Sequence, residues 1–140
     1  MEIPVNLLQG WCIVVVDDED DSLEVARYIL DFYGADVHTA TNGHEALDLI
    51  RRTRPNFVIS DLSMPYMDGW ELLRELKDDI ATRDIPVIAL TAHAMIGDRE
   101  RAIAAGFHNY LTKPLTADVF IHDLLRLLMA IPDLNNRLNI

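Results

Sequence analysis

Apolar residues fall into two alternating rhythms along the chain. Short apolar runs appear at 12–17 (CIVVVD), 35–40 (ADVHTA), 56–60 (NFVIS), 85–90 (IPVIAL) and 108–112 (HNYLT). Three of them are rich in Val and Ile and too short for buried helices, which predicts strands; 35–40 and 108–112 carry the pattern more weakly. Between the runs lie segments of helical period. In 20–33, Leu23, Ala26, Ile29, Leu30 and Tyr33 share a face, and Gly34 supplies a stop. In 43–52, Ala46, Leu49 and Ile50 do the same, and Asn42 with Glu45 reads as a capping box. Asp68 with Glu71 repeats that signal for a helix over 69–79 carrying Leu72, Leu73 and Leu76. A fourth helix spans 95–105 and ends at Gly106; a fifth runs from Thr116 to 129.

Five strand–helix units in succession predict an α/β fold, a parallel sheet with helices on both faces. Right-handed crossovers then limit the topology. The folded unit is expected over 11–130, after an N-terminal extension (1–10) and before a tail, 131–140, whose polar composition predicts fraying.

Charge narrows the function. Lys and Arg number 12 against 23 Asp and Glu, a net charge of −11. Such a surface repels phosphate backbones and anionic lipid, so neither direct nucleic-acid binding nor a membrane partner is expected. No apolar stretch approaches the roughly 20 residues that cross a bilayer, and the first residues lack the basic start of a signal peptide. One cysteine, Cys12, forms no internal disulfide, which fits a reducing, cytoplasmic setting. Cys12 reads as packing, and the five histidines show no metal-ligand spacing.

Open parallel sheets bind ligands at the carboxyl ends of their strands. There the first predicted strand delivers Asp17-Asp18, the third Asp61, the fourth Thr91 and the fifth Lys113. Neighbouring carboxylates raise each other's proton affinity unless cations stand by. Lys113 is one candidate and Mg²⁺ another, since oxygen donors suit that ion and leave room for phosphate oxygens. A carboxylate can also act as a nucleophile toward phosphorus, with Thr91, Lys113 and Mg²⁺ around the transferred group.

These marks together resemble the receiver domain of two-component response regulators, of the single-domain, chemotaxis-regulator kind. They are Asp17-Asp18, the D-x-x-M-P-x-x-D-G from Asp61 to Gly69, the L-T-A-H at Thr91, Tyr110, and Lys113-Pro114. The resemblance covers about 11–130. It implies a doubly wound, flavodoxin-like sheet in the order 2-1-3-4-5, and a signalling module rather than an enzyme. It implies that Asp61 accepts a phosphoryl group with Mg²⁺ as cofactor. Asp18 would bind the metal directly, Asp17 through water, and Ser63 through its backbone carbonyl. Thr91 and Lys113 would hold the phosphoryl group, and Thr91 with Tyr110 would form the switch. Implied partners are a sensor histidine kinase or histidine phosphotransfer protein upstream, and downstream a protein of unknown identity or a second, phosphorylated copy. The family usually makes the Lys113–Pro114 bond cis, and His93, at the site mouth, is expected to tune phosphoryl lifetime. No effector domain is expected to follow.

Plainer readings stand beside these. Asp17-Asp18 suits a solvated acidic turn at a helix start. Asp61 and Lys113 suit a structural ion pair, Thr91 a strand-end hydroxyl, and Tyr110 plain core. Other functional readings are a receiver cut from a hybrid kinase and an aspartyl-phosphate hydrolase. Those hydrolases place a second acid two residues after the nucleophile, where this chain has Ser63.

Overall fold

A computed structural model describes residues 2–92 and 98–140. Five strands alternate with helices: β1 (Cys12–Val16), α1 (Asp20–Phe32), β2 (Asp36–Ala40), α2 (Gly43–Thr53), β3 (Phe57–Asp61), α3 (Gly69–Asp78), β4 (Val87–Thr91), α4 (Asp98–Ala105), β5 (Asn109–Thr112), α5 (Ala117–Met129) and the short α6 (Pro132–Asn135). The sheet is parallel, in the order β2-β1-β3-β4-β5. The α/β parallel sheet expected from the alternation, and the doubly wound 2-1-3-4-5 order implied by the resemblance, are those found.

Strand alternation divides the core. Ile13, Val15, Phe57, Ile59, Ile88 and Leu90 face α1 and α5, where Ala26, Leu30, Phe120 and Leu124 meet them. Val14, Val16, Val58, Val87 and Ala89 face the other way, against Ile50 of α2, Leu72 and Leu76 of α3 and Ala102 of α4. The central strands are therefore apolar on both faces, whereas β2 is an edge strand with only Ala40 buried. That explains its weaker signal in the sequence.

The helix signals act as their chemistry requires. Asp68 and Glu71 form a complete capping box at α3. Asn42 accepts the Glu45 N–H, giving half of one at α2. Gly34 and Gly106 follow α1 and α4 at positive φ, as stops. The end of α2 has no such glycine: Arg54 takes the left-handed conformation before Pro55, a stop the sequence does not announce. Strand β4 begins at Val87 rather than 85 and extends to Thr91. The expected first turn of α4, and His93, lie outside the described residues.

The tail differs from expectation. Residues 132–135 form α6, and Leu134 is buried in the core beside α5. Trp11 Nε1 donates to the Arg137 carbonyl, and the Asn139 amide N–H donates to the Leu7 carbonyl. Leu7, Leu8 and Trp11 of the N-terminal segment are themselves buried in the same cluster. The two ends thus brace each other. The few apolar residues scattered in a polar stretch carry this packing, and composition alone hides it.

Candidate functional site

Among the described residues, the carboxyl ends of the strands bring four charged side chains together. Asp61 is the last residue of β3 and Asp17 follows β1 directly; both are buried. Lys113 follows β5, its N–H donating to the Thr91 carbonyl at 2.8 Å, and its bond to Pro114 is cis as expected. The Lys113 side chain is only 8% exposed, and its ammonium lies 3.1 Å from Asp61 Oδ2, 2.9 Å from Asp17 Oδ2 and 2.6 Å from Glu19 Oε1. It therefore bridges three carboxylates. Thr91 ends β4 at the same edge and is buried.

Backbone groups hold these side chains in place. The Ser63 N–H donates to Asp61 Oδ1 at 3.2 Å, and the Glu19 N–H to Asp17 Oδ1 at 2.9 Å. Gly69 explains part of the motif around Asp61. Its N–H donates to the Leu62 carbonyl, and a Cβ there would overlap the Asp61 carbonyl oxygen. The start of α3 packs directly on the strand end that carries Asp61, and only glycine leaves room.

Among the described residues the electrostatics are unbalanced, with two buried carboxylates and a third at the surface meeting one ammonium. Burial, then the hydrogen bond and charge of Asp17, push the Asp61 carboxyl up to about 7, against the opposing pull of the Ser63 N–H and Lys113. Burial works against the Lys113 charge. Its hydrogen bonds to Glu19, Asp17 and Asp61 more than offset that, so the ammonium is held above its usual range.

A cation fits this site. Oxygens of Asp17, Glu19 and Asp61 lie within 4.8 Å of one another. Asp17 Oδ2 is buried and, although close to Lys113, accepts no well-directed hydrogen bond. An oxygen-only donor set with excess negative charge and an undersatisfied buried oxygen suits Mg²⁺.

The expected site residues are only partly brought together. Asp17, Asp61 and Lys113 converge, with Thr91 at the same edge. Asp18 does not join them: it is exposed and stands outside the group formed by Asp17, Glu19 and Asp61. Glu19 takes the place beside Lys113. Its sequence position within an acidic run suggests only a helix start, so side-chain direction was the missing signal. Ser63 is exposed beside Asp61. Tyr110 is half-buried, packed against the α2–α3–α4 side of the sheet, and also lines a groove of about 490 Å³ between β5 and α5 with Arg99, Asp123 and Arg126.

Known proteins resemble this chain in sequence and in fold. The family model for the response regulator receiver domain matches residues 13–125. The polar-differentiation response regulator DivK of Brucella anthropi is 38% identical over 109 residues, covering 78% of this chain and 89% of that protein. Among solved structures, the chemotaxis protein CheY4 of Vibrio cholerae superposes with a TM-score of 0.78 at 27% identity, covering 84% of this chain and 98% of that one. The receiver domain of the sensor histidine kinase PA1611 of Pseudomonas aeruginosa, which carries a magnesium ion in its active site cleft, gives 0.74 at 32% identity, covering 84% and 96%. The chain belongs to the response regulator receiver domain family of two-component signalling.

Proposed function

We propose that Asp61 is the phosphoryl acceptor of this receiver, and that its phosphorylation controls binding at the α4–β5–α5 face. The observation that carries the reading is the convergence of buried Asp17, Asp61 and Lys113 at the carboxyl edge of the sheet. A carboxylate oxygen of Asp61 attacks phosphorus in line. The bond from phosphorus to the donor's imidazole nitrogen, or to the acyl oxygen of a small donor, breaks, and the donor leaves with that electron pair. Lys113 already touches Asp61 and lies close enough to pair with a phosphoryl oxygen. The Thr91 hydroxyl is the group that donates a hydrogen bond to another. Mg²⁺, when bound, supplies the positive charge that keeps Asp17 and Asp61 ionised together and helps neutralise the transferred group. Asp17 and Asp61 supply carboxylates for it, and the Ser63 backbone carbonyl a further oxygen.

The phosphoryl group adds about −1.5 to −2 charges and strong acceptor oxygens. Thr91 moves toward them, and Tyr110 follows into the space this leaves. Because Tyr110 lines the groove beside Arg99 and Arg126, that movement alters the face a partner or a second copy of the chain would meet. The donor is a histidine kinase or histidine phosphotransfer protein, and the setting is the cytoplasm.

Incubation with acetyl phosphate and Mg²⁺, followed by intact-mass measurement, tests the reading. One phosphoryl group per chain is expected, abolished by chelator and by Asp61→Asn. Steady turnover of generic phosphate esters would instead mark a hydrolase.

A further inference from the structure

A second group of potential ligands lies at the opposite end of β1. Cys12 opens that strand, and its cross-strand partner is Asp36, the first residue of β2. His38, two residues further along β2, points to the same face as Asp36. The thiol sulfur, a carboxylate oxygen and an imidazole nitrogen lie within 4.8 Å of one another, and His38 Nε2 is 3.1 Å from Asp36 Oδ2. We propose that Cys12, Asp36 and His38 form a second cation site, for a borderline-soft divalent metal of the zinc class.

Three features support the site. The first is spacing. Tetrahedral zinc holds sulfur at about 2.3 Å and nitrogen or oxygen at about 2.0–2.2 Å, which puts neighbouring ligand atoms about 3.3–3.8 Å apart. The three atoms, all within 4.8 Å of one another, need to close by about 1–1.5 Å at most to reach that geometry. The second is a fixed backbone. The Cys12 N–H donates to Asn56 Oδ1 at 2.8 Å, and the Asp36 N–H donates to the Trp11 carbonyl at 2.7 Å. Two ligands are therefore anchored on facing positions of neighbouring strands. The third is access. The His38 side chain is 33% exposed and that of Asp36 75%, so water can complete the coordination.

The donor set also separates this site from the acidic one. A thiolate, an imidazole and a carboxylate favour Zn²⁺ and its neighbours over Mg²⁺, which prefers oxygen alone. Binding replaces the thiol proton by the metal: the S–H bond breaks, the proton goes to solvent and a sulfur–metal bond forms. Asp17 lies five residues along the chain from Cys12, about 16 Å at the rise of a strand, too far to share an ion. A metal here would pin the edge strand β2 to β1.

Cobalt(II) titration of the full chain in excess Mg²⁺ tests the site, because only a thiolate ligand gives the intense sulfur-to-cobalt charge-transfer absorption and Cys12 is the sole cysteine. Urea unfolding first establishes that each variant folds. The expected result is a band saturating at one cobalt per chain, displaced by Zn²⁺ and absent in Cys12→Ser. In Asp36→Asn and in His38→Ala the affinity should fall roughly tenfold or more. The absence of any band in the unaltered protein would overturn the proposal. So would undiminished affinity in either the Asp36 or the His38 variant, which would reduce the site to a lone thiol.

Discussion

The Lys113 ammonium lies 3.1 Å from Asp61 Oδ2 but is shared with two neighbours that hold it more closely, Asp17 at 2.9 Å and Glu19 at 2.6 Å. One cation among three carboxylates leaves Asp61 short of compensation, and its carboxyl is pushed up to about 7 by burial and by Asp17. The site is thus built with an electrostatic deficit that an added cation relieves.

Stability should therefore fall as pH rises. Between the ordinary value of 3.8 and about 7, folded Asp61 retains a proton that the unfolded chain has released. The folded state binds more protons there, so raising pH through that window costs stability, at up to about 1.4 kcal/mol per pH unit. In chelator, urea midpoints should decline from pH 5 to about pH 7 and then level off. Saturating Mg²⁺ should flatten the decline, as should Asp61→Asn. A metal-independent profile would show that the carboxylates are already balanced.

Gly69→Ala should destabilise the fold by about 1–3 kcal/mol, because a Cβ there meets backbone rather than a movable side chain. The displaced atom is the Asp61 carbonyl oxygen, so acetyl phosphate labelling should slow as well. Denaturant melts with labelling rates measure both. An unchanged variant would mean that α3 can shift away from the strand end.

Leu134→Ala should cost about 2–5 kcal/mol, the usual range for emptying a buried leucine site. A frayed tail would give a change within about 0.5 kcal/mol. Urea unfolding decides between them.

Tyr110→Ala should leave labelling of Asp61 largely intact and uncouple it from the output face. In the unaltered protein, beryllium fluoride with Mg²⁺ should change hydrogen exchange in 98–130 as well as around Asp61. In the variant the change should shrink to the loops next to the site. Equal patterns in the two proteins would remove Tyr110 from the switch.

What could be read from the chain follows from physical range. Val14, Val16, Val58 and Ala89 announce central strands because both sheet faces are buried, and the residues leaving those strands must then share one edge. Asp17, Asp61, Thr91 and Lys113 were legible on that ground. Glu19 was not, because it lies beyond the end of β1 in an acidic run and its contact with Lys113 depends on which way one exposed side chain turns. Cys12 and His38 escaped for a related reason. Spacing along the chain says nothing of strand register, and only the pairing of Cys12 with Asp36 brings the imidazole near. Leu134 sits in a polar stretch whose packing depends on Leu7, Leu8 and Trp11 at the other end of the chain.

Locating the phosphoryl group itself tests most directly whether Asp61 is the acceptor. The protein is labelled with acetyl phosphate and Mg²⁺, treated with borohydride, which reduces an aspartyl phosphate to homoserine, and mapped by peptide mass spectrometry. Homoserine is expected at position 61 alone, dependent on Mg²⁺. Homoserine at Asp17, Asp18 or another acid, or none at 61 in a labelled sample, would contradict it.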